Sequence, residues 1–213
     1  FRILQNKVDD SIQVAYVDYA TTAVLLMDYF EAKKIAFVVH VHGYDITQKI
    51  NNIAFAKELK RLISLAAKFI APSQYMKRRL MLLDCPESKI EVIRYGIDDK
   101  RVEVMPWEEK KNTTPSIIFL GRLTPKKNPK ALIHAFHKVL KSIPEVKLSI
   151  IGDGPLRKEV EDLIERLDLK DKVTLYGAID RSKSFPLLRK HWLYAQHSVT
   201  PPSGDTEGLP NSP

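Results

Sequence analysis

Three short stretches hold the residues best able to do chemistry. "HVHGYDIT" (40–47) sets His40 and His42 two positions apart with Gly43 and Asp45 behind them, and "GRLTPKKN" (121–128) places Arg122 and Lys127 on one loop. "SGDTEGLP" (203–210) puts Glu207 between Asp205 and Gly208. The basic pair suits a diphosphate, because a planar guanidinium grips two phosphate oxygens and a lysine adds a mobile point charge. Asn128 and Pro129 read as the cap and first turn of a helix whose dipole adds partial positive charge there. A merely solvated basic loop is the competing reading.

His40 and His42 share one face of a strand, which invites a metal. No Cys, His or Glu cluster in the sequence supplies the remaining ligands, so the expectation is no metal and a hydrogen-bonding or proton-handling role in a cleft. There is no Walker loop, "GDGP" (152–155) is only part of a dinucleotide fingerprint, and no D-x-D holds a divalent ion. Arginine and lysine are therefore expected to stabilise phosphate charge, with no cofactor.

These loops need elements behind them. Runs at 35–43, 69–71, 89–94, 116–121, 146–152 and 172–177 are β-branched and apolar, as buried strands are. "NPKALIHAFHKVL" carries Leu132, Ile133, Phe136, Val139 and Leu140 on one helical stripe. In "GPLRKEVEDLIERL", Pro155 opens a helix with Leu156, Val160, Leu163, Ile164 and Leu167 inward and Lys158–Asp162 as an exposed pair. Strand and helix alternate, which predicts right-handed parallel α/β sheets. In such sheets ligands bind beyond the carboxyl ends of the strands, where three of the predicted strands end in Gly121, Gly152 and Gly177. Those glycines serve either close approach of a ligand or tight turning.

The proline-punctuated, charged stretch 98–115 reads as a connection. The domain expectation is residues 1–95, a connection at 96–115, and a second domain at 116–213, two α/β halves making a cleft. With 213 residues, 44% hydrophobic, the chain can bury one large or two small cores. A lone Cys85 excludes a disulfide scaffold and fits a reducing, cytoplasmic setting. Apolar runs at 23–27 and 35–39 fall short of the ~20 residues that span a bilayer. The net charge of +8 suggests an anionic partner, whether nucleic acid, phosphorylated ligand or acidic lipid, or a solvated basic surface. A start at Phe1 without a leader and a stop at Pro213 inside a loop are read as truncation at both ends.

"HVHGYDIT", "FIAPSQYMKRRL", "KIEVIRYGID", "FLGRLTPKKNPKALIHAF", "LSIIGDGPLRKEVEDLIERLDL", "VTLYGAI" and "QHSVTPPSGDTEGLP" follow one another in the order and spacing of family 4 glycosyltransferases. The resemblance covers nearly the whole chain, and the last segment resembles bacterial enzymes of colanic acid and related exopolysaccharide assembly. It implies a GT-B fold of two Rossmann-like domains facing a cleft, both incomplete here. It also implies metal-independent transfer of a sugar from a UDP- or GDP-sugar to a polysaccharide or lipid-linked glycan, with retention at the anomeric carbon.

Residue by residue, Arg122 and Lys127 match the family's basic pair on the donor diphosphate. His42 matches the histidine that contacts the donor sugar, with Gly43 making room and Asp45 fixing the turn. Glu207 matches the first acid of the E-x7-E pair, and Gly208 and Leu209 offer backbone N–H groups to the same ligand. Gly121 and the stretch Gly177, Ala178 and Ile179 line the nucleotide. One departure stands out: the family often reads H-A-H-F-G where this chain has "YVDYA", Tyr16 to Ala20.

The resemblance further implies that basic surface, here Lys57, Lys60, Arg61, Lys68, Lys77, Arg78 and Arg79, faces the inner membrane, although an ordinary amphipathic helix accounts for it equally. A dinucleotide-dependent oxidoreductase would share the sheets but needs the full glycine fingerprint and its acid. A nucleic-acid-binding protein rests on charge alone and lacks a reader motif, so no nucleic-acid partner is expected.

Overall fold

The computed structural model describes residues 11–96 and 103–209. They form two compact units, one of residues up to 96 together with 200–209, the other of residues 103–199. The sequence reading kept 200–213 in the second domain. In the structure residues 200–209 pack with the first, and residues 97–102 of the expected connection and 210–213 lie outside the described residues.

The first unit is a four-stranded parallel sheet in the order β1-β2-β3-β4, with β1 Val14–Asp18, β2 Ala36–His40, β3 Lys68–Ala71 and β4 Ile90–Val92. Register aligns Asp18, His40 and Ile70 across three strands, which brings the first two side chains to one sheet end. Helices α1 (Ala20–Lys33), α2 (Gly43–Thr47), α3 (Ile53–Leu65) and α4 (Gln74–Met81) link these strands. The core packs Met27, Phe37, Val39, Leu59, Leu62, Phe69 and Met76. Each such side chain contributes roughly 1.5 to 3 kcal/mol when fully buried. Asn52 caps α3 by accepting from Phe55 N at 3.0 Å, and Ser73 caps α4 by accepting from Met76 N at 3.3 Å.

The second unit is a parallel sheet in the order β7-β6-β5-β8, with β5 Ser116–Leu120, β6 Lys147–Ile151, β7 Val173–Gly177 and β8 Leu193–Tyr194. Around it lie α5 (Trp107–Lys110), α6 (Pro129–Val139), α7 (Arg157–Arg166) and α8 (Arg181–Lys190). Phe119, Ile133, Phe136, Ile150, Val160 and Leu163 fill its core. The Lys158–Asp162 pair forms at 2.7 Å. Four details differ from the sequence reading. Asn128 does not cap through its side chain but sits in the left-handed region (φ 45°) between a 3-10 turn at Pro125–Lys127 and α6. Pro155 lies in the turn before α7, which opens at Arg157. Strand β2 ends at His40, so His42 lies beyond it, leading α2. The stretch read as a connection holds the short helix α5.

Candidate active site

In the first unit the chemistry gathers at the carboxyl ends of β1 and β2. Asp45 is fully buried and organises the backbone there: Oδ1 accepts from His42 N at 2.9 Å and Oδ2 from Ala20 N at 2.8 Å. One carboxylate thus ties the start of α1 to the loop that presents His42, the turn-fixing role expected of it. Burial pushes its pKa up to about 6 despite those two donors.

His42 is held through both ring nitrogens. Nε2 lies 3.1 Å from Asp18 Oδ1 and Nδ1 lies 2.6 Å from the Tyr95 hydroxyl. A carboxylate only accepts, so Nε2 donates to Asp18, and in the tautomer this fixes Nδ1 accepts from Tyr95. Burial, and after it the neighbouring Tyr19, Asp18 and other acidic groups, push the Tyr95 phenol up to about 12, so it keeps the proton it donates. The expectation that His42 offers its ring to a ligand therefore needs revision, because its polar atoms are engaged inside the protein. Tyr19 covers one ring face, with centroids 4.1 Å apart.

His40 stands beside it, rings 4.5 Å apart, with Nδ1 at 2.5 Å from the Tyr16 hydroxyl and 3.4 Å from Asp18 Oδ1. Burial first, then the adjacent His42, lower its pKa, so the ring is neutral at pH 7. Asp18, His40 and His42 each bring a ligand atom within 4.8 Å of the others. The sequence shows no Cys, His or Glu cluster to supply the remaining ligands of a metal, and the tertiary structure adds one carboxylate, Asp18, to the two histidines. Sequence inspection missed Asp18 and Tyr95 because they lie 24 and 53 residues away from His42; "YVDYA" was visible only as a departure from a pattern.

Gly43 has the close approach expected of it, but to protein. A β-carbon there would lie 1.8 Å from Thr206 O and 3.0 Å from Gly208 N. The segment carrying Glu207 is fastened by Thr206 N donating to Thr47 Oγ1 at 3.2 Å and Ser73 Oγ donating to Gly208 O at 2.8 Å. Glu207 and Leu209 are half-buried within this segment.

In the second unit the loops after β5, β6 and β7 are stitched together. Leu123 N donates to Asp153 O, Leu156 N to Leu123 O, and Gly152 N to Gly177 O, at 2.9, 3.0 and 2.8 Å. Gly152 (φ 136°) and Gly154 (φ 157°) have no room for a β-carbon, which would meet Gly121 O at 1.9 Å and Leu123 O at 2.6 Å. The "GDGP" glycines therefore serve backbone packing. Gly121 differs: its nearest neighbours are the tip of Phe119 and Lys127 Cε at 3.7 Å, so the lysine stem lies along this glycine.

Arg122 is exposed, whereas Lys126 and Lys127 are both buried. Thr124 Oγ1, on the same loop, is buried without a hydrogen bond among the described residues. Arg157 adds a guanidinium beside Gly177, its Nη1 3.2 Å from where a β-carbon would stand and 3.2 Å from Asp153 Oδ2. Ala178 and Ile179 continue from that point. Lys126 and Thr124 lie in the quoted loop, but their burial is not visible in sequence, and Arg157 is brought to Gly177 only by loop packing.

Two parallel-sheet α/β units with glycine-lined loops at their strand ends are the architecture of the GT-B fold. The chain belongs to the glycosyltransferases: residues 102–213 match "Glycosyl transferases group 1" and residues 2–101 match "Glycosyltransferase Family 4". It is 30% identical to the putative colanic acid biosynthesis glycosyltransferase WcaL of Escherichia coli strain K12, over 83% of this chain and 43% of that protein. It is 27% identical to the amylovoran biosynthesis glycosyltransferase AmsK of Erwinia amylovora, over 79% of this chain and 41% of that one. The chain thus spans less than half the length of these relatives. Among solved structures, Anabaena Alr3699/HepE in complex with UDP and glucose has a similar fold, with TM-score 0.77 and 20% identity over 95% of this chain and 56% of that chain.

Proposed function

We propose that the protein transfers a sugar from a UDP- or GDP-sugar to a hydroxyl of a polysaccharide or lipid-linked glycan in bacterial exopolysaccharide synthesis, with retention at the anomeric carbon. The observation that carries this is the Gly121–Lys127 loop, where Arg122, Lys127 and the Thr124 hydroxyl share one turn. Relatives named for colanic acid and amylovoran synthesis support the exopolysaccharide reading, and a solved structure of like fold holding UDP and glucose supports a UDP-sugar donor.

As the bond from the anomeric carbon to the diphosphate breaks, charge grows on the leaving oxygens. Arg122 and Lys127 interact more strongly with that charge than with the intact donor, which lowers the barrier. Gly177, Ala178 and Ile179 pass along the nucleotide base, and Glu207 accepts hydrogen bonds from hydroxyls of the donor sugar. With both His42 ring nitrogens occupied, its contribution to the sugar is shape and backbone.

We hold the reaction to be metal-independent: Asp18, His40 and His42 already bond to one another, to Tyr16 and to Tyr95, and a cation would have to replace those bonds. The reaction is placed in the cytoplasm at the inner face of the membrane, where a lipid-linked acceptor sits. No helix among the described residues is long and apolar enough to cross a bilayer. Of the basic residues proposed to face lipid, Lys60, Arg61, Lys68 and Lys77 pair with Asp84, Asp28 and Glu31, Glu91 and Glu87, so that contact would rest on Lys57, Arg78 and Arg79.

The test is incubation of the full-length protein with labelled UDP- and GDP-sugars and a lipid-linked saccharide, with Arg122→Ala alongside and with EDTA added. Transfer that survives EDTA and falls at least 100-fold in Arg122→Ala is expected. Absence of transfer, or indifference to Arg122→Ala, would sink the reading, and loss in EDTA restored by Zn²⁺ or Mn²⁺ would move the cation reading of the Asp18–His40–His42 cluster ahead.

A further inference from the structure

Tyr19 has a backbone conformation that tyrosine seldom adopts. Its φ of 68° lies in the left-handed region, where glycine or asparagine fits without steric conflict. The position is forced by its bonds: Tyr19 N donates to His40 O at 2.9 Å, and Tyr19 O accepts from Thr22 N and Ala23 N at 3.1 Å. None of these needs a side chain, so glycine would meet every backbone requirement. A strained side chain held by its surroundings points to a requirement for that side chain.

The ring stands at the mouth of the His42 network. One face covers His42, and the residue remains 42% exposed. Next to it Asp18, with its side chain 58% exposed, directs Oδ1 toward both histidines. Among the described residues its second oxygen has no hydrogen-bond donor, which leaves it for an outside one. Asp18 is the last residue of β1 and Tyr19 follows it directly, so both stand at the carboxyl end of that strand.

An exposed aromatic face beside an exposed carboxylate fits one class of ligand well. The C–H groups on one face of a pyranose are weakly positive and settle on the negative face of an aromatic ring, while its equatorial hydroxyls donate to a neighbouring carboxylate. A lipid headgroup such as diacylglycerol offers a hydroxyl but no such ring face, and an anionic headgroup is repelled by Asp18.

We propose that Tyr19 and Asp18 form the acceptor subsite, and that the acceptor is a pyranoside whose ring stacks on Tyr19 and whose hydroxyl donates to Asp18 Oδ2. This rests on the glycosyltransferase reading and adds the acceptor's chemical class and the residues that select it. His42, fixed by Tyr95, positions Asp18 by donating to its Oδ1.

The experiment measures binding of p-nitrophenyl hexopyranosides to the full chain by ligand-observed NMR, with UDP binding followed separately, in wild type and in Tyr19→Phe, Tyr19→Leu, Tyr19→Gly and Asp18→Asn. Tyr19→Phe should stay within twofold. Tyr19→Leu, which keeps the backbone strain and apolar bulk but loses the aromatic face, and Tyr19→Gly, which relieves the strain, should each weaken glycoside binding at least 10-fold, with Tm in Tyr19→Gly equal or higher. Asp18→Asn should weaken it at least 5-fold, and UDP binding should change by less than twofold throughout.

Glycoside binding that survives Tyr19→Gly, or that is absent while dioctanoylglycerol binds, overturns the proposal. Because the glycoside readout needs no turnover, it is separable from the larger reading: transfer from a nucleotide sugar that persists unchanged in Tyr19→Gly would leave the enzyme class standing and remove this subsite.

Discussion

The carbonyl oxygen of Thr206 stands where a β-carbon on Gly43 would be, 1.8 Å from that position. Two segments 163 residues apart in sequence, 43 and 206, are thus fitted backbone to backbone. That contact, more than the ring of His42, explains the glycine in "HVHGYD". Gly43→Ala should displace the 203–208 segment and with it Glu207. We expect a loss of ~1 to 3 kcal/mol from overpacking, read by urea denaturation, and at least a 10-fold fall in transfer. A variant with wild-type stability and rate would contradict the tight fit.

Asp45 makes stability depend on pH in a defined direction. Its folded pKa is raised from 3.8 to about 6, so its contribution is fully present below pH 4 and is lost as pH rises through 6. At 1.4 kcal/mol per unit the change amounts to roughly 3 kcal/mol. Comparison with Asp45→Asn cancels the other carboxylates. The stability difference between wild type and variant should grow in favour of wild type as pH falls from 7 to 4, and a flat difference would exclude the shift.

The Tyr95 hydroxyl selects the His42 tautomer. Tyr95→Phe keeps the ring and removes one donor, at a stability loss of ~0.5 to 1.5 kcal/mol. The specific signature is spectroscopic: in wild type the nitrogen shifts of His42 should report an Nε2–H ring, and in Tyr95→Phe a mixture of tautomers. An unchanged spectrum would mean that Asp18 alone sets the proton.

Arg122 and Lys127 differ in burial, and their substitutions should differ in kind. Arg122 is exposed, so Arg122→Lys should leave Tm within 1 °C while weakening UDP binding several-fold, because lysine lacks the bidentate fork. Lys127 is buried with its stem along Gly121, so Lys127→Met keeps the packing and removes the charged head. UDP affinity should fall at least 10-fold there as well. Calorimetric titration with UDP separates the two, and equal affinity in all three proteins would remove this loop from the diphosphate site.

Much of this was legible in advance where residues close in sequence act together. The six apolar runs became β2 to β7, the helical stripes of α6 and α7 are buried as their spacing implies, and the basic loop follows β5 as read. Strands β1 and β8 were not legible: β1 buries only Val17 of its five residues and leads within two residues into α1, and β8 has two residues, too few to show a period. The basic residues of α3, β3 and α4 looked like one charged face until tertiary structure brought acids from α1, β4 and the turns to Arg61, Lys68, Lys60 and Lys77.

The sequence by itself determined the parallel α/β class, the family resemblance and which loops carry chemistry, because periodicity, capping and short motifs are properties of neighbouring residues. Only the tertiary structure decided what each group faces. Strand register brought Asp18 beside His40 and His42, chain crossing brought Thr206 onto Gly43, and the fold closed Tyr95 over a ring nitrogen. Hydrogen bonds and close backbone contacts act over about 3 Å, and residues that far apart in space are 24, 53 and 163 positions apart in a chain whose local pattern says nothing of the meeting.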